Sequence, residues 1–135
     1  MNITISEAMG RVRVSVIRIE GQLDGQSYME LIDKAKALYG EGARDFLVDL
    51  TDMTYISSAG LVALHSIALL AKGEQLPDSE SGWSAYRSIK NSAPSLQEHI
   101  KLLNPREEVK SVLEMVGFDR VFSAFTDFDE AVKSF

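Results

Sequence analysis

Two adjacent hydroxyls, Ser57 and Ser58, lie between two apolar runs. Upstream is Phe46-Leu-Val-Asp-Leu50, broken only by Asp49, the pattern of a strand buried on both faces. Thr51 to Tyr55 reads as a polar turn. Downstream, Leu61, Val62, Ala63, Leu64, Ile67, Ala68, Leu69, Leu70 and Ala71 predict a helix that is apolar nearly all round and starts at Ser57 or Ser58. Serine favours the N-cap because its hydroxyl accepts a hydrogen bond from a free first-turn N–H. The same junction carries the positive end of the helix dipole, so it suits a negative group. A serine placed there can cap the helix or serve as a substrate for phosphorylation.

Other chemistry finds less support. His65 and His99 are far apart, and His65 on the apolar helix reads as a packed or interface residue. Ser58 has no Gly-x-Ser-x-Gly elbow around it, and the chain holds no Gly-x-x-x-x-Gly-Lys-Ser/Thr phosphate loop. No His/Asp/Glu cluster has metal-ligand spacing. Asp49 and Asp52 could suggest a metal pair, but such residues are more often a buried polar contact and a turn former. We therefore expect no enzyme, no cofactor and no metal site. A formal charge of −6 argues against general nucleic-acid affinity. No apolar stretch reaches membrane-span length, and the first residues lack the basic-then-apolar pattern of a secretory signal.

The elements that must position the serines follow from periodicity. Residues 2–5 suit a short edge strand. Residues 11–20 alternate with period two, then shift phase between Val16 and Ile17, which predicts a bulge or burial on both sides. Gly21-Gln-Leu-Asp-Gly25 belongs to a turn. Ser27 and Glu30 form a capping-box pattern for a helix to about Tyr39, stopped by Gly40. Residues 73–97, rich in serine and holding two of the prolines, read as a long inserted loop, in which Trp83 and Tyr86 could anchor a partner. His99 to Leu103 suits a strand. Asn104-Pro-Arg-Glu107 suits N-cap, N1 and N3 of a helix ended by Gly117, and Val121 to Phe125 suits a last strand. Thr126 or Asp127 then caps a final helix with the stripe Phe128, Ala131, Val132 and Phe135. The order β-β-α-β-α-β-α-β-α gives an α/β class: one domain, residues 1–135, with a mixed sheet of four to five strands and about four packed helices.

Ile56-Ser57-Ser58-Ala59-Gly60-Leu61, behind Val48-Asp-Leu50 and Gly21-Gln-Leu-Asp24, resembles the signature of STAS domains, in particular the bacterial anti-sigma factor antagonists. The family pattern is roughly hydrophobic-Asp-Ser-Ser/Thr-Gly-Leu. Its Asp falls on Ser57, its phosphorylated serine on Ser58, its next Ser/Thr on Ala59, and its Gly-Leu on Gly60-Leu61. Asp24 matches the family's acidic residue near the acceptor. The resemblance covers residues 11–71 well and 98–135 in outline. It implies a STAS-like fold and a non-enzymatic cytoplasmic module that binds an anti-sigma factor through Asp24, Ser57, Ser58, Ala59, Gly60 and Leu61. In the family, that anti-sigma factor is also a serine kinase of histidine-kinase-like ATPase fold. It phosphorylates the antagonist, here at Ser58 with Ser57 as the alternative, and a PPM-type phosphatase resets it. Two positions depart from the pattern: Ser57 removes a carboxylate and Ala59 a hydroxyl. These departures leave open an unphosphorylated STAS scaffold, or a subunit of a transport or lipid-handling assembly.

Overall fold

A computed structural model describes residues 1–73 and 97–135. The elements are β1 (Asn2–Met9), β2 (Arg13–Leu23), α1 (Tyr28–Gly40), β3 (Phe46–Asp49), β4 (Met53–Ile56), α2 (Ser58–Ala71), β5 (Ile100–Leu103), α3 (Glu107–Met115), a 3-10 turn (Phe118–Arg120), β6 (Ala124–Phe125) and α4 (Phe128–Lys133). The sheet runs β1-β2-β3-β5-β6, with β4 paired to β2. The β1–β2 hairpin is antiparallel and the other pairings are parallel. The α/β class with a mixed sheet is the one expected, and the sheet has six strands.

The additional strand is β4, inside the segment read as a turn. Met53 and Ile56 are buried, while Thr54 and Tyr55 between them are exposed. β2 explains why they pair. It is 11 residues long, and β3 occupies its edge only from Ser15 to Arg18. The remaining edge, Gly21 to Leu23, is taken by β4, with a register shift between Gly21 and Gln22. Gly21 has φ +93°, a conformation costly for residues with a Cβ. The phase shift in β2 reflects burial on both faces: Val14, Ser15, Val16 and Ile17 are all buried.

The main core lies between one sheet face and the helices, built from Ile17, Ile19, Phe46, Val48, Ile100 and Leu102 against Leu31, Leu64, Ile67, Val109 and Leu113. A smaller core on the opposite face joins Val14, Val16, Leu47 and Leu103 to Ala131 and Val132 of α4. There Lys101 is buried. Its Nζ donates to the Ser134 carbonyl (2.7 Å) and Oγ (3.0 Å) and lies 4.8 Å from the Phe135 ring centroid. Burial pushes this ammonium below the ordinary lysine range.

Several boundaries differ from the sequence expectation. Ser27 makes no capping-box bond to α1. Gly40 closes α1 as its last residue, and the positive φ falls at Gly42 (+109°). α3 is capped at Arg106, because Asn104 at φ +55° turns the chain before the helix can start. Of the last expected strand, Val121 to Phe125, only Ala124–Phe125 pairs, and a 3-10 turn, Phe118–Arg120, precedes it. Of the two cap candidates Thr126 and Asp127, Asp127 caps α4, accepting from Asp129 N at 2.9 Å, while Phe128 is 43 % exposed. Of the proposed loop, residues 74–96, with Trp83 and Tyr86, lie outside the described residues.

Candidate functional site

The serine pair sits at the C-terminal edge of the parallel strands, where the ends of β2 and β4 meet the start of α2. Leu23 at the end of β2 pairs with Ile56 at the end of β4. Ser57 N then donates to the Leu23 carbonyl at 2.9 Å, so the chain stays fixed for one residue beyond the strand. Ser57 is extended (φ −95°, ψ 178°) and is the N-cap of α2. Its Oγ accepts from Gly60 N at 3.4 Å, and its carbonyl accepts from Leu61 N at 3.0 Å. Ser57 thus engages two first-turn N–H groups, and Ser58 occupies the first helical position.

The two hydroxyls are therefore not equivalent. Ser57 is half-buried and its oxygen serves the cap. Ser58 is exposed. Ala59 is half-buried, while Gly60 and Leu61 are buried. Gly60 is where the helix touches the sheet. A Cβ there would lie 2.6 Å from Ile56 Cγ1, 2.8 Å from the Leu23 carbonyl oxygen and 3.0 Å from Leu23 Cγ. Only a residue without a side chain lets the first turn of α2 approach β2 and β4 this closely.

Asp24 follows Leu23 directly, so the strand pairing brings it beside the start of α2. Its Oδ1 accepts from Gln26 N (3.0 Å) and stands 3.2 Å from Ser27 Oγ. Its backbone N donates to Ser27 Oγ (3.0 Å), and its carbonyl accepts from Tyr28 N (2.9 Å). This explains the missing capping box: the Ser27 hydroxyl is turned back onto Asp24 and the Gln22 carbonyl (3.1 Å) and holds the β2–α1 loop.

The other candidates separate from this site. Asp49 and Asp52 do not converge on a metal. Asp49 Oδ1 accepts from Thr51 N (3.0 Å) and Thr51 Oγ1 (2.6 Å), while Asp52 pairs with Arg18. Arg106 joins that turn, donating from Nε to the Thr51 carbonyl at 3.0 Å, with Nη2 4.0 Å from Asp52. The sequence reading had not singled out Arg18, Arg106 or Thr51. The signal available was position for Thr51 and Arg106, which follow the ends of β3 and β5; Arg18 lies within β2, opposite Asp49. His99 Nδ1 is 2.8 Å from Asp45 Oδ1, bridging the starts of β5 and β3. His65 lies half-buried on α2. Among the described residues, no group of three or more His, Asp or Glu could hold a metal ion, and no helix is long and apolar enough to cross a membrane.

A family model described as Mlab, STAS domain, matches residues 9–77, just over half of the chain and including every residue of the site. The chain belongs to the STAS domain family. Solved structures agree on the fold. An anti-sigma factor antagonist from Mycobacterium paratuberculosis superposes with a TM-score of 0.64 at 16 % identity, covering 98 % of this chain and 93 % of that one. The anti-sigma factor antagonist SpoIIAA in its unphosphorylated form gives 0.52 at 14 % identity, covering 96 % of this chain and 92 % of that one. The phosphorylated form of SpoIIAA, the Bacillus cell fate determinant, gives 0.56 at 14 % identity, with 97 % and 96 % covered. No match was found among curated proteins.

Proposed function

We propose that this chain is an anti-sigma factor antagonist, a non-enzymatic cytoplasmic module switched by phosphorylation of Ser58. Its partner is an anti-sigma factor that is also a serine kinase of histidine-kinase-like ATPase fold, and a PPM-type phosphatase resets it. The docking surface comprises Asp24, Ser57, Ser58, Ala59, Gly60 and Leu61, with the buried Gly60 and Leu61 shaping the turn from beneath. The observation that carries this reading is the inequality of the two serines. Ser58 is exposed at the first helical position, while Ser57 is committed to the cap. A phosphate on Ser58 adds a charge of about −1.5 to −2 at the positive end of α2, worth roughly 0.3–1 kcal/mol in favour of the fold. The fold survives and the docking surface changes. A partner seated over Ser58 would have to bury that charge unpaired, costing several kcal/mol. That is at least about a hundredfold in affinity.

The test is intact mass after incubation with ATP and a candidate kinase of that fold. One phosphate is expected on the native chain and none on Ser58→Ala. The same gain on Ser58→Ala moves the site to Ser57 or elsewhere. Ser58→Asp should bind the kinase at least about a hundredfold more weakly; unchanged affinity refutes the electrostatic switch.

A second reading, an unphosphorylated scaffold or a subunit of a transport or lipid-handling assembly, is favoured by one observation. Ser57 stands where the family has Asp and uses its side chain to cap α2. If no kinase modifies Ser58 and a partner binds Ser58→Asp as well as the native chain, this reading replaces the first.

A further inference from the structure

We propose that β1 is a self-association edge, on which a second copy of this chain adds its own β1 antiparallel, about a two-fold axis through Ser6. Two hydrogen bonds of β2 fix which backbone groups of β1 face outward. Ser15 N donates to the Asp45 carbonyl, and Gly21 N to the Asp52 carbonyl, both on the side of β2 away from β1. The odd-numbered residues of β2 thus direct their N–H and C=O groups toward β3 and β4, and the even-numbered ones toward β1. Residue Ser15 is opposite Glu7, and Val16 is opposite Ser6. Antiparallel ladders alternate hydrogen-bonded with non-bonded pairs. So Asn2, Thr4, Ser6 and Ala8 bond to β2, while Ile3, Ile5, Glu7 and Met9 turn their N–H and C=O groups outward. Among the described residues, no strand pairs with that outer edge.

Among the described residues, the charge of Glu7 is the one usual protection on this edge. Natural sheets blunt an edge with a short strand, a bulge, a proline or lysines. β1 is 8 residues long, pairs with β2 without a register break, and contains no proline or lysine and one charge, Glu7. Its apolar side chains are incompletely covered: Ile3 and Ile5 are half-buried and Met9 is 70 % exposed.

Self-pairing through Ser6 fits these features together. The outward groups of Ile3 meet those of Met9 in the partner, and those of Ile5 meet Glu7, so each finds a complementary backbone group. Met9 is then covered by the partner's Ile3. Glu7 faces Ile5 rather than another Glu7, so no like charges oppose. The product is one continuous sheet across two copies. This edge is formed by β1 alone, so the proposal stands or falls separately from the phosphorylation of Ser58.

The register makes a specific test. Ser6 would face its own copy in a non-bonded pair, with Cα atoms about 4.5 Å apart. That distance suits a disulfide. The chain has no cysteine, so a single introduced thiol reports cleanly. Under mild oxidation Ser6→Cys should crosslink to a dimer, and Thr4→Cys, which would face Ala8, should not. Native protein should show a concentration-dependent dimer by sedimentation. Ile5→Pro removes an outward N–H and no bond to β2, so it should be folded by circular dichroism and monomeric. Native protein that stays monomeric to its solubility limit overturns the proposal. So does Ser6→Cys that fails to crosslink, or crosslinks no better than Thr4→Cys.

Discussion

Replacing Gly60 with alanine tests how the serine pair is held. The new Cβ would fall 2.6 Å from Ile56 Cγ1 and 2.8 Å from the Leu23 carbonyl oxygen. Both neighbours are fixed. Ile56 is 2 % exposed, and the Leu23 oxygen already accepts from Ser57 N at 2.9 Å. Relief requires α2 to move away from β2 and β4, which strains that bond. Overpacking a core costs about 1–3 kcal/mol, and weakening one hydrogen bond about 1 kcal/mol. Against these stands the helix preference for alanine over glycine, at most about 1 kcal/mol. The balance is a loss of about 1–3 kcal/mol. At about 4 °C per kcal/mol for a domain of this size, Tm should fall by about 4–12 °C. Gly40→Ala is the control, because Gly40 is also helical but a Cβ there meets nothing within 4 Å. It should raise stability by up to about 1 kcal/mol. Thermal and urea denaturation of both variants read the difference. Gly60→Ala as stable as the native chain would refute the close-approach argument.

The two serines should also separate in stability. Ser57→Ala loses the cap and should cost about 1 kcal/mol in urea unfolding, whereas Ser58→Ala should change stability by less than about 0.5 kcal/mol; equal costs would contradict the cap assignment. Ser58→Asp should unfold no earlier than the native chain, since its charge sits at the positive end of α2, and an earlier midpoint would count against the dipole argument. Lys101 should contribute a pH dependence. Burial, opposed by the charges of Asp45 and Glu98, lowers its folded value, so between the folded and unfolded values the unfolded chain binds more protons and stability rises with pH. Native protein should gain stability relative to Lys101→Met as pH approaches the ordinary lysine range from below, and parallel profiles would refute this.

The motif and the main elements were legible because they depend on local chemistry. The buried strand at Phe46–Asp49, the apolar helix from Ser58, the Asp127 cap and the stop at Gly117 each follow from side-chain type and spacing. β4 was not legible, because Met53-Thr-Tyr-Ile56 has no strong period. It becomes a strand only because β2 runs past the end of β3 and leaves backbone groups to be paired. The Ser27 hydroxyl could cap α1 or turn back to Asp24, and only the path of the β2–α1 loop chose between them. α1 ends at Gly40, and the positive φ that turns the chain falls two residues later, at Gly42.

The sequence alone thus determined the α/β class, the family signature and the presence of two hydroxyls at a strand–helix junction, because period, capping chemistry and motif order act over a few residues. It left open which hydroxyl caps the helix and which faces solvent. Tertiary structure decided that, by pressing Gly60 against Leu23 and Ile56 and so turning Ser57 inward to the cap while Ser58 remains on the surface.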